Sequence, residues 1–310
     1  MSSAPHILVI NGTKVRQPVF ILGSPHSGTD LLARAIKRST GFHLTVGRPS
    51  LLRVTYAFAR RPSIASASER GAARVLRDAY AEAWRISPQG CAECAPECRA
   101  LGGAAAAFTE AAGEAAPCVT PRGVDRFADA APELIYSADV LLDAFPDAQL
   151  LQVIRDGRDV VADMLEDESC LTWFQPGFAN LDEVFPNPFF GVEDEVERAR
   201  WPKAGPAVKC ALRWRGSVRL SARLRAQTPD DQLLTVRYED LVDRPRKIAG
   251  DLSAYLGSPI SKSVLSGLAR TGDRRGPAPV GGWRDRLTPK QVTQVVRIAG
   301  RELGRLGYDL

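Results

Sequence analysis

Apolar and polar positions along the chain fall into blocks that read as strand, loop and helix in turn. Val19, Phe20, Ile21 and Leu22 form an unbroken β-branched and aromatic run, which gives way at Gly23 to a loop of small residues, "GSPHSG". From Gly28 onward Leu31, Leu32, Ala35 and Ile36 recur at helical spacing and predict a helix. The order returns in "AQLLQVIRDGRDVVADML", which predicts a strand over Leu150–Ile154, a polar turn and a helix. It returns again in "LLTVRYEDL", a strand and turn from Leu233 to Leu241 that leads into a helix over Pro245–Leu256. A further helix is predicted over Ala131–Ala144. Strands alternating with helices predict an α/β fold, a mostly parallel central sheet flanked by helices, with ligands at the C-terminal ends of the strands.

Two stretches break this rhythm. The segment from about Leu44 to Val124 is rich in Arg and Ala and mainly helical in pattern, so residues 46–124 read as an insertion, rather than core, within a single domain over 1–310. The stretch "WFQPGFANLDEVFPNPFFGVEDEVERARWP", Trp173–Pro202, is rich in aromatics, prolines and acids, and suits a lid or acceptor-facing loop.

Composition narrows the class. With 310 residues, 45% hydrophobic and 25% charged, the chain can bury a real core as a globular protein. No window approaches the roughly 18–20 apolar residues of a membrane span, and the first residues lack a charged segment followed by a long apolar run, so a cytoplasmic protein without a membrane partner is expected. The net charge of +5 fits an anionic ligand, although only seven of the 41 basic residues are Lys, which also fits the codon bias of a high-GC bacterial genome. The Arg-rich stretch Ala59–Arg77 lacks the aromatic stacking residues of a nucleic-acid reader and reads as a solvated helix face.

Four of the six cysteines, Cys91, Cys94, Cys98 and Cys118, gather in one Ala-rich stretch, while Cys170 and Cys210 stand apart. The spacing C-x-x-C-x-x-x-C, with nineteen residues between its last Cys and a fourth, supplies enough thiolates for a structural zinc site. Unligated thiols used as small core residues and a disulfide are the alternatives.

The Gly23–Gly28 loop places backbone N–H groups and a helix start where an anion could bind. It supplies half of a Walker A pattern, but Thr29 and Asp30 stand where that motif completes with Gly-Lys-Ser/Thr, which argues against a nucleotide kinase or NTPase. Three later segments add specificity: "FPDAQLLQVIRDGRDVVADML", "TVRYEDLVDRPRKIAGDLSAYLG" and "GGWRDRLTPKQVTQVVRIAGRELGRLGYD". In that order, after "GSPHSGTDLL", they resemble bacterial sulfotransferases that use 3′-phosphoadenosine 5′-phosphosulfate (PAPS), across roughly residues 17–45 and 125–310.

The resemblance implies a P-loop-like sulfotransferase fold in which His26, Ser27, Gly28, Thr29 and Asp30 cradle the 5′-phosphosulfate. It implies that Arg155 meets the 3′-phosphate, Tyr238 lies near the adenine, and the loop before Trp283 and Arg284 closes over the nucleotide. Five features of the family pattern are altered, at six residues. His26 replaces a usual Arg or Lys, Asp30 a Thr or Ser, and Asp163 the serine that partners the 3′-phosphate arginine. Ala130 and Ala131 precede Pro132 where Lys-Thr-Pro is usual, and Arg48 stands near the position of an acceptor-side Glu.

The expected reaction is transfer of a sulfuryl group to a hydroxyl or amine of a small-molecule acceptor in specialised metabolism. His26 would stabilise the leaving phosphate, and His43 is the candidate base, with a structural histidine as its alternative. The competing expectation is a catalytically impaired relative that works as a binding or scaffold subunit, with a partner protein or as a homodimer. Asp30 and Asp163 decide between them, according to whether they face the phosphates or turn away into Arg pairs.

Overall fold

The structure, a computed structural model, describes residues 7–48, 50–52, 54–55, 70–88, 91, 94, 117–119, 121–175, 190–270 and 278–310. A short antiparallel hairpin, β1 (Val9–Ile10) with β2 (Thr13–Lys14), precedes the main strands. These are β3 (Val19–Gly23), β4 (Gly41–Val46), β5 (Val124–Ala130), β6 (Gln149–Ile154) and β7 (Leu233–Arg237). They form a five-stranded sheet in the order β4-β5-β3-β6-β7, parallel at every pairing. The first helices are α1 (Thr29–Lys37), α2 (Arg70–Ala83), α3 (Ala138–Ala144), α4 (Gly157–Glu166), α5 (Glu168–Thr172) and α6 (Glu195–Arg200). They are followed by α7 (Pro206–Gln227), α8 (Tyr238–Asp243), α9 (Pro245–Leu256), α10 (Lys262–Arg270), α11 (Trp283–Arg286) and α12 (Pro289–Arg305).

Every residue of β3 is buried. Side chains of a strand alternate between its faces, and here Phe20 and Leu22 enter one apolar cluster while Val19 and Ile21 enter another. Both faces of the central strand are thus covered, which is why its sequence is a continuous apolar run rather than an alternating one. Leu32 and Ile36 of α1, Leu252 of α9 and Leu265 of α10 cover one face. Leu76 and Tyr80 of α2, Leu141 of α3 and Leu212 of α7 cover the other. A third cluster joins α4, α7 and α12 through Val160, Trp214, Val295 and Leu303.

The α/β reading holds, with corrections. β4 and β5 are strands that the apolar pattern did not predict. The predicted helix over 131–144 is a 3-10 turn at Pro132–Ser137, and only Ala138–Ala144 is α-helical. Residues 70–84 belong to the core. Leu76, Tyr80 and Ala83 lie on one face of α2, Tyr80 and Trp84 pack on Phe20 at 5.1 and 5.9 Å, and Trp84 Nε1 donates to the Ala128 carbonyl at 3.0 Å. Arg74, on another face of α2, is solvated.

Residues 176–189 of the aromatic stretch lie outside the described residues. The flanking Phe190 is buried and its ring stands 4.9 Å from Trp201, so this end packs inward. No helix among the described residues is long and apolar enough to cross a membrane.

The sheet also fixes where a ligand can sit. β3 leads through α1 to β4 on one side, and β6 leads through α4 and α7 to β7 on the other. The connections therefore diverge above the neighbouring ends of β3 and β6, which opens a crevice there.

Candidate functional site

Gly23 ends β3 opposite Val153 of β6. A Cβ at Gly23 would stand 2.6 Å from the Val153 carbonyl oxygen and 2.6 Å from Ser27 Oγ, so the turn into the loop requires glycine. The loop tightens through Ser27 N donating to Ser24 O at 3.1 Å, and it passes through positive φ at His26 (59°) and Gly28 (99°). Gly28 lacks a side chain to cap α1, so the first-turn amides have no side-chain acceptor from the N-cap. Ser24 Oγ and Ser27 Oγ are buried without a hydrogen-bond partner among the described residues. Orphaned hydroxyls and uncapped amides at a strand end are the donors that a phosphate or sulfate group accepts from.

Arg155 follows β6 across the crevice and is only 2% exposed. Its Nη1 donates to the His26 carbonyl at 2.9 Å and to Asp163 Oδ2 at 2.5 Å, and its Nη2 to the Pro279 carbonyl at 3.4 Å. The guanidinium lies over the Tyr238 ring, 4.5 Å from its centroid. Trp214 of α7 donates Nε1 to the Arg155 carbonyl at 3.3 Å and packs so closely on Gly157 that a Cβ there would meet its ring at 2.7 Å. Asp156 caps α4 by accepting from Arg158 N at 2.8 Å, and also binds the Arg158 side chain.

Residues 278–283 close the crevice from above. Tyr238 donates its hydroxyl to the Ala278 carbonyl at 2.8 Å, and Asp159 accepts from Gly281 N at 2.7 Å and Trp283 N at 2.9 Å. Burial raises the Asp159 carboxyl above its usual range, against the pull of those two amides. The Trp283 ring lies between Arg158 at 4.3 Å and Arg284 at 4.6 Å.

A cavity of about 210 Å³ lies between loop and cover, walled by His26, Gly28, Asp30, Leu31, Arg34, Arg155, Asp163, Tyr238 and Ala278. Its charged walls balance, Arg34 and Arg155 against Asp30 and Asp163. Asp30 points largely to solvent, 71% exposed, and pairs with Arg34 at 3.0 Å one turn along α1. Asp163 turns inward and bridges Arg155 and Arg286, which holds its other oxygen at 2.5 Å. The two acids thus differ: one pairs outward, and the other sits on the buried arginine. Burial pushes the Tyr238 phenol up to about 12, opposed by Arg155 and reinforced by Asp30 and Asp163.

His26 Nε2 meets Asp167 Oδ2 at 3.0 Å. Partial burial works to raise the Asp167 carboxyl, but the Ser169 hydroxyl and His26 hold it below its usual range. The motifs did not single out Asp167 or Arg286. Asp167 carries the signal of a helix cap, since it accepts from Ser169 N at 2.9 Å at the start of α5. Nothing in the sequence pattern ranks Arg286 above Arg284.

Of the residues predicted for the site, His26, Gly28, Asp30, Arg155, Asp163 and Tyr238 converge on the cavity. Ser27 in the loop and Thr29 at the start of α1 are buried and do not line it. Trp283 and Arg284 do not line it, and Arg284 is exposed. His43 is not brought to it either. Its ring is 1% exposed in β4, edge-on to Phe127 at 6.0 Å and two strands from β3, which corrects its candidacy as base.

Cys91, Cys94 and Cys118 gather with their sulfurs within 4.8 Å of one another, while Cys98 lies outside the described residues. Cys170 and Cys210 pack in the third apolar cluster.

Comparisons with known proteins bear on the family and the fold. The family model for the sulfotransferase family matches residues 18–183. No curated protein matches the sequence. Among solved structures, the fold is similar to the sulfotransferase domain from the Synechococcus PCC 7002 olefin synthase. The TM-score is 0.51 at 17% identity, over 96% of this chain and 97% of that one. It is also similar to the sulfotransferase domain from the curacin biosynthetic pathway, with a TM-score of 0.50 at 15% identity over 95% of this chain and 99% of that one. A family match over more than half of the chain, on a shared fold, places this chain in the sulfotransferase family.

Proposed function

We propose that the chain, as one domain, transfers the sulfuryl group of PAPS to a hydroxyl or amine of a small-molecule acceptor. The observation that carries this reading is that the uncapped start of α1 and buried Arg155 meet at the cavity between β3 and β6, with the orphaned Ser24 and Ser27 hydroxyls in a small pocket beside it that Arg155 also lines. These donors suit a nucleotide carrying phosphate at two ends, with the loop taking the phosphosulfate and Arg155 the 3′-phosphate. PAPS would supply the sulfuryl group and a phosphate leaving group.

The chain's own part is to align that leaving group and stabilise its growing charge. His26 stands where a cation is needed, with the Asp167 carboxylate 3.0 Å from its Nε2. Tyr238 packs on Gly28 and under Arg155, which fixes a flat wall suited to an adenine. With His43 buried away from the cavity, none of the described residues is assigned as the acceptor's base.

One observation favours a second reading, a catalytically impaired relative that acts as a binding subunit: Asp163 already occupies the Arg155 guanidinium. Calorimetric titration with 3′-phosphoadenosine 5′-phosphate (PAP) separates the two. Saturable one-to-one binding supports the enzyme. Absence of binding by folded protein supports the second reading.

A further inference from the structure

From the Cys91, Cys94 and Cys118 cluster we infer a structural zinc site, separate from the cavity between β3 and β6. The sulfur geometry is the first ground. Zinc holds thiolates at about 2.3 Å in a tetrahedron, which sets the edge between two sulfurs at about 3.8 Å. Cys91 Sγ and Cys118 Sγ stand 3.7 Å apart, and all three sulfurs lie within 4.8 Å of one another. A disulfide would require about 2.05 Å between two of them. Three thiols from positions 91, 94 and 118 therefore already occupy three corners of a site of the right size, with Cys91 and Cys94 buried.

The charge beside the cluster is an independent ground. Arg48 follows β4, is 4% exposed, and donates Nη2 to Cys94 Sγ at 3.3 Å. A neutral thiol is a weak acceptor, whereas a thiolate is a strong one, so a buried guanidinium directed at sulfur suits a negatively charged sulfur. Three thiolates and one zinc dication carry a single net negative charge, beside which the Arg48 guanidinium stands. Binding replaces three S–H bonds by three Zn–S bonds and releases three protons to solvent. Three soft sulfur donors, with no carboxylate among them, suit zinc and do not suit calcium or magnesium.

The site lies where the chain most needs a tie. Val46, at the end of β4, packs against the cluster, and Cys118 comes six residues before β5. A metal there fastens the chain after α2 and the chain entering β5 to the end of the sheet's edge strand.

The test begins with metal analysis of full-length protein purified without added zinc, where about one zinc per chain is expected. Zinc-free protein titrated with cobalt(II) should develop the visible d–d and thiolate charge-transfer bands of a tetrahedral sulfur site. Those bands should be lost or much reduced in Cys91→Ser, Cys94→Ser and Cys118→Ser. Should these variants fail to fold, Arg48→Met keeps all three thiols and should weaken zinc affinity by about tenfold or more. Folded protein that holds no zinc while its thiols react at once with a thiol reagent would overturn the site. So would a Cys91–Cys118 disulfide found by mass spectrometry, or cobalt spectra of octahedral oxygen coordination.

Discussion

Arg155 and Asp163 face each other one wall apart in the cavity, the guanidinium Nη1 2.5 Å from the carboxylate Oδ2, in the place where an anionic ligand would compete for the same arginine. A phosphate arriving there must displace the carboxylate or share Arg155 with it. Replacing Asp163 by serine therefore leaves Arg155 without a carboxylate partner, while Arg286 keeps its pair with Glu166 at 2.9 Å. We expect Asp163→Ser to bind PAP at least tenfold tighter than the parent by calorimetry, about 1.4 kcal/mol. The same change leaves a buried arginine without its carboxylate, so the unliganded variant should melt earlier and recover more on PAP addition than the parent does. Unchanged affinity would show that Asp163 does not oppose the ligand.

Asp30 should behave differently, because its carboxylate is 71% exposed and pairs along the helix surface. Such pairs contribute about 0–1 kcal/mol. Asp30→Thr should change PAP affinity less than threefold and leave thermal stability nearly unaltered. A large gain in affinity would mean that the carboxylate reaches the ligand after all.

Arg155 joins loop, cover and Tyr238 in one set of contacts. Arg155→Ala is expected to abolish PAP binding, and Arg155→Lys should restore only part of it, because lysine keeps the charge but loses the fork and the flat stacking surface. Equal affinities for parent and Arg155→Lys would reduce the role of Arg155 to charge alone.

At Gly28 the backbone φ is +99°, and a Cβ would fall 2.3 Å from the Tyr238 ring. Gly28→Ala should destabilise the fold by about 1–3 kcal/mol and displace Tyr238. Urea denaturation and the tyrosine fluorescence of a variant series would record both effects. A neutral result would contradict the close packing of ring on loop.

Asp167 gives a pH dependence with a definite sign. Its folded pKa lies below the ordinary value of 3.8, so its pairing with Ser169 and His26 stabilises the protein above that value. The stabilisation is lost as pH falls through the lower, folded value. The stability difference between parent and Asp167→Asn, from denaturant midpoints, should be constant near pH 5 and shrink on going below about pH 4. A difference that grows on acidification would reverse the assignment.

The strands that carry the site were legible because they are buried on both faces, which forces the unbroken apolar run at Val19–Leu22 and a run at Leu150–Ile154 that only Gln152 interrupts. β5 escaped notice because "VDRFADA" mixes acids and an arginine into a strand. Asp129 is buried at 2% exposure and accepts from Thr45 Oγ1 at 2.5 Å and Tyr80 OH at 3.2 Å, while Arg126 reaches Gln149 at 2.5 Å. Such polar positions become strand-compatible only once their distant partners are in place. The same reason hides Asp167 and Arg286, whose partners His26 and Asp163 are 141 and 123 residues away. His43 misled in the opposite direction. Local sequence places it just past a helix that borders the loop, but the parallel register sends it to the sheet's edge beside Phe127.

The segment 278–283 is bolted down at both ends: Tyr238 and Arg155 hold the carbonyls of Ala278 and Pro279, and Asp159 holds the amides of Gly281 and Trp283. Lifting it would break hydrogen bonds to three different elements at once. Among the cavity's walls the solvent-facing Asp30 and its partner Arg34 stand on α1, away from that fastened segment. Exposed charges at a cavity wall act on the encounter with an anionic ligand, so this pair should affect the speed of arrival even where it leaves the strength of binding unchanged.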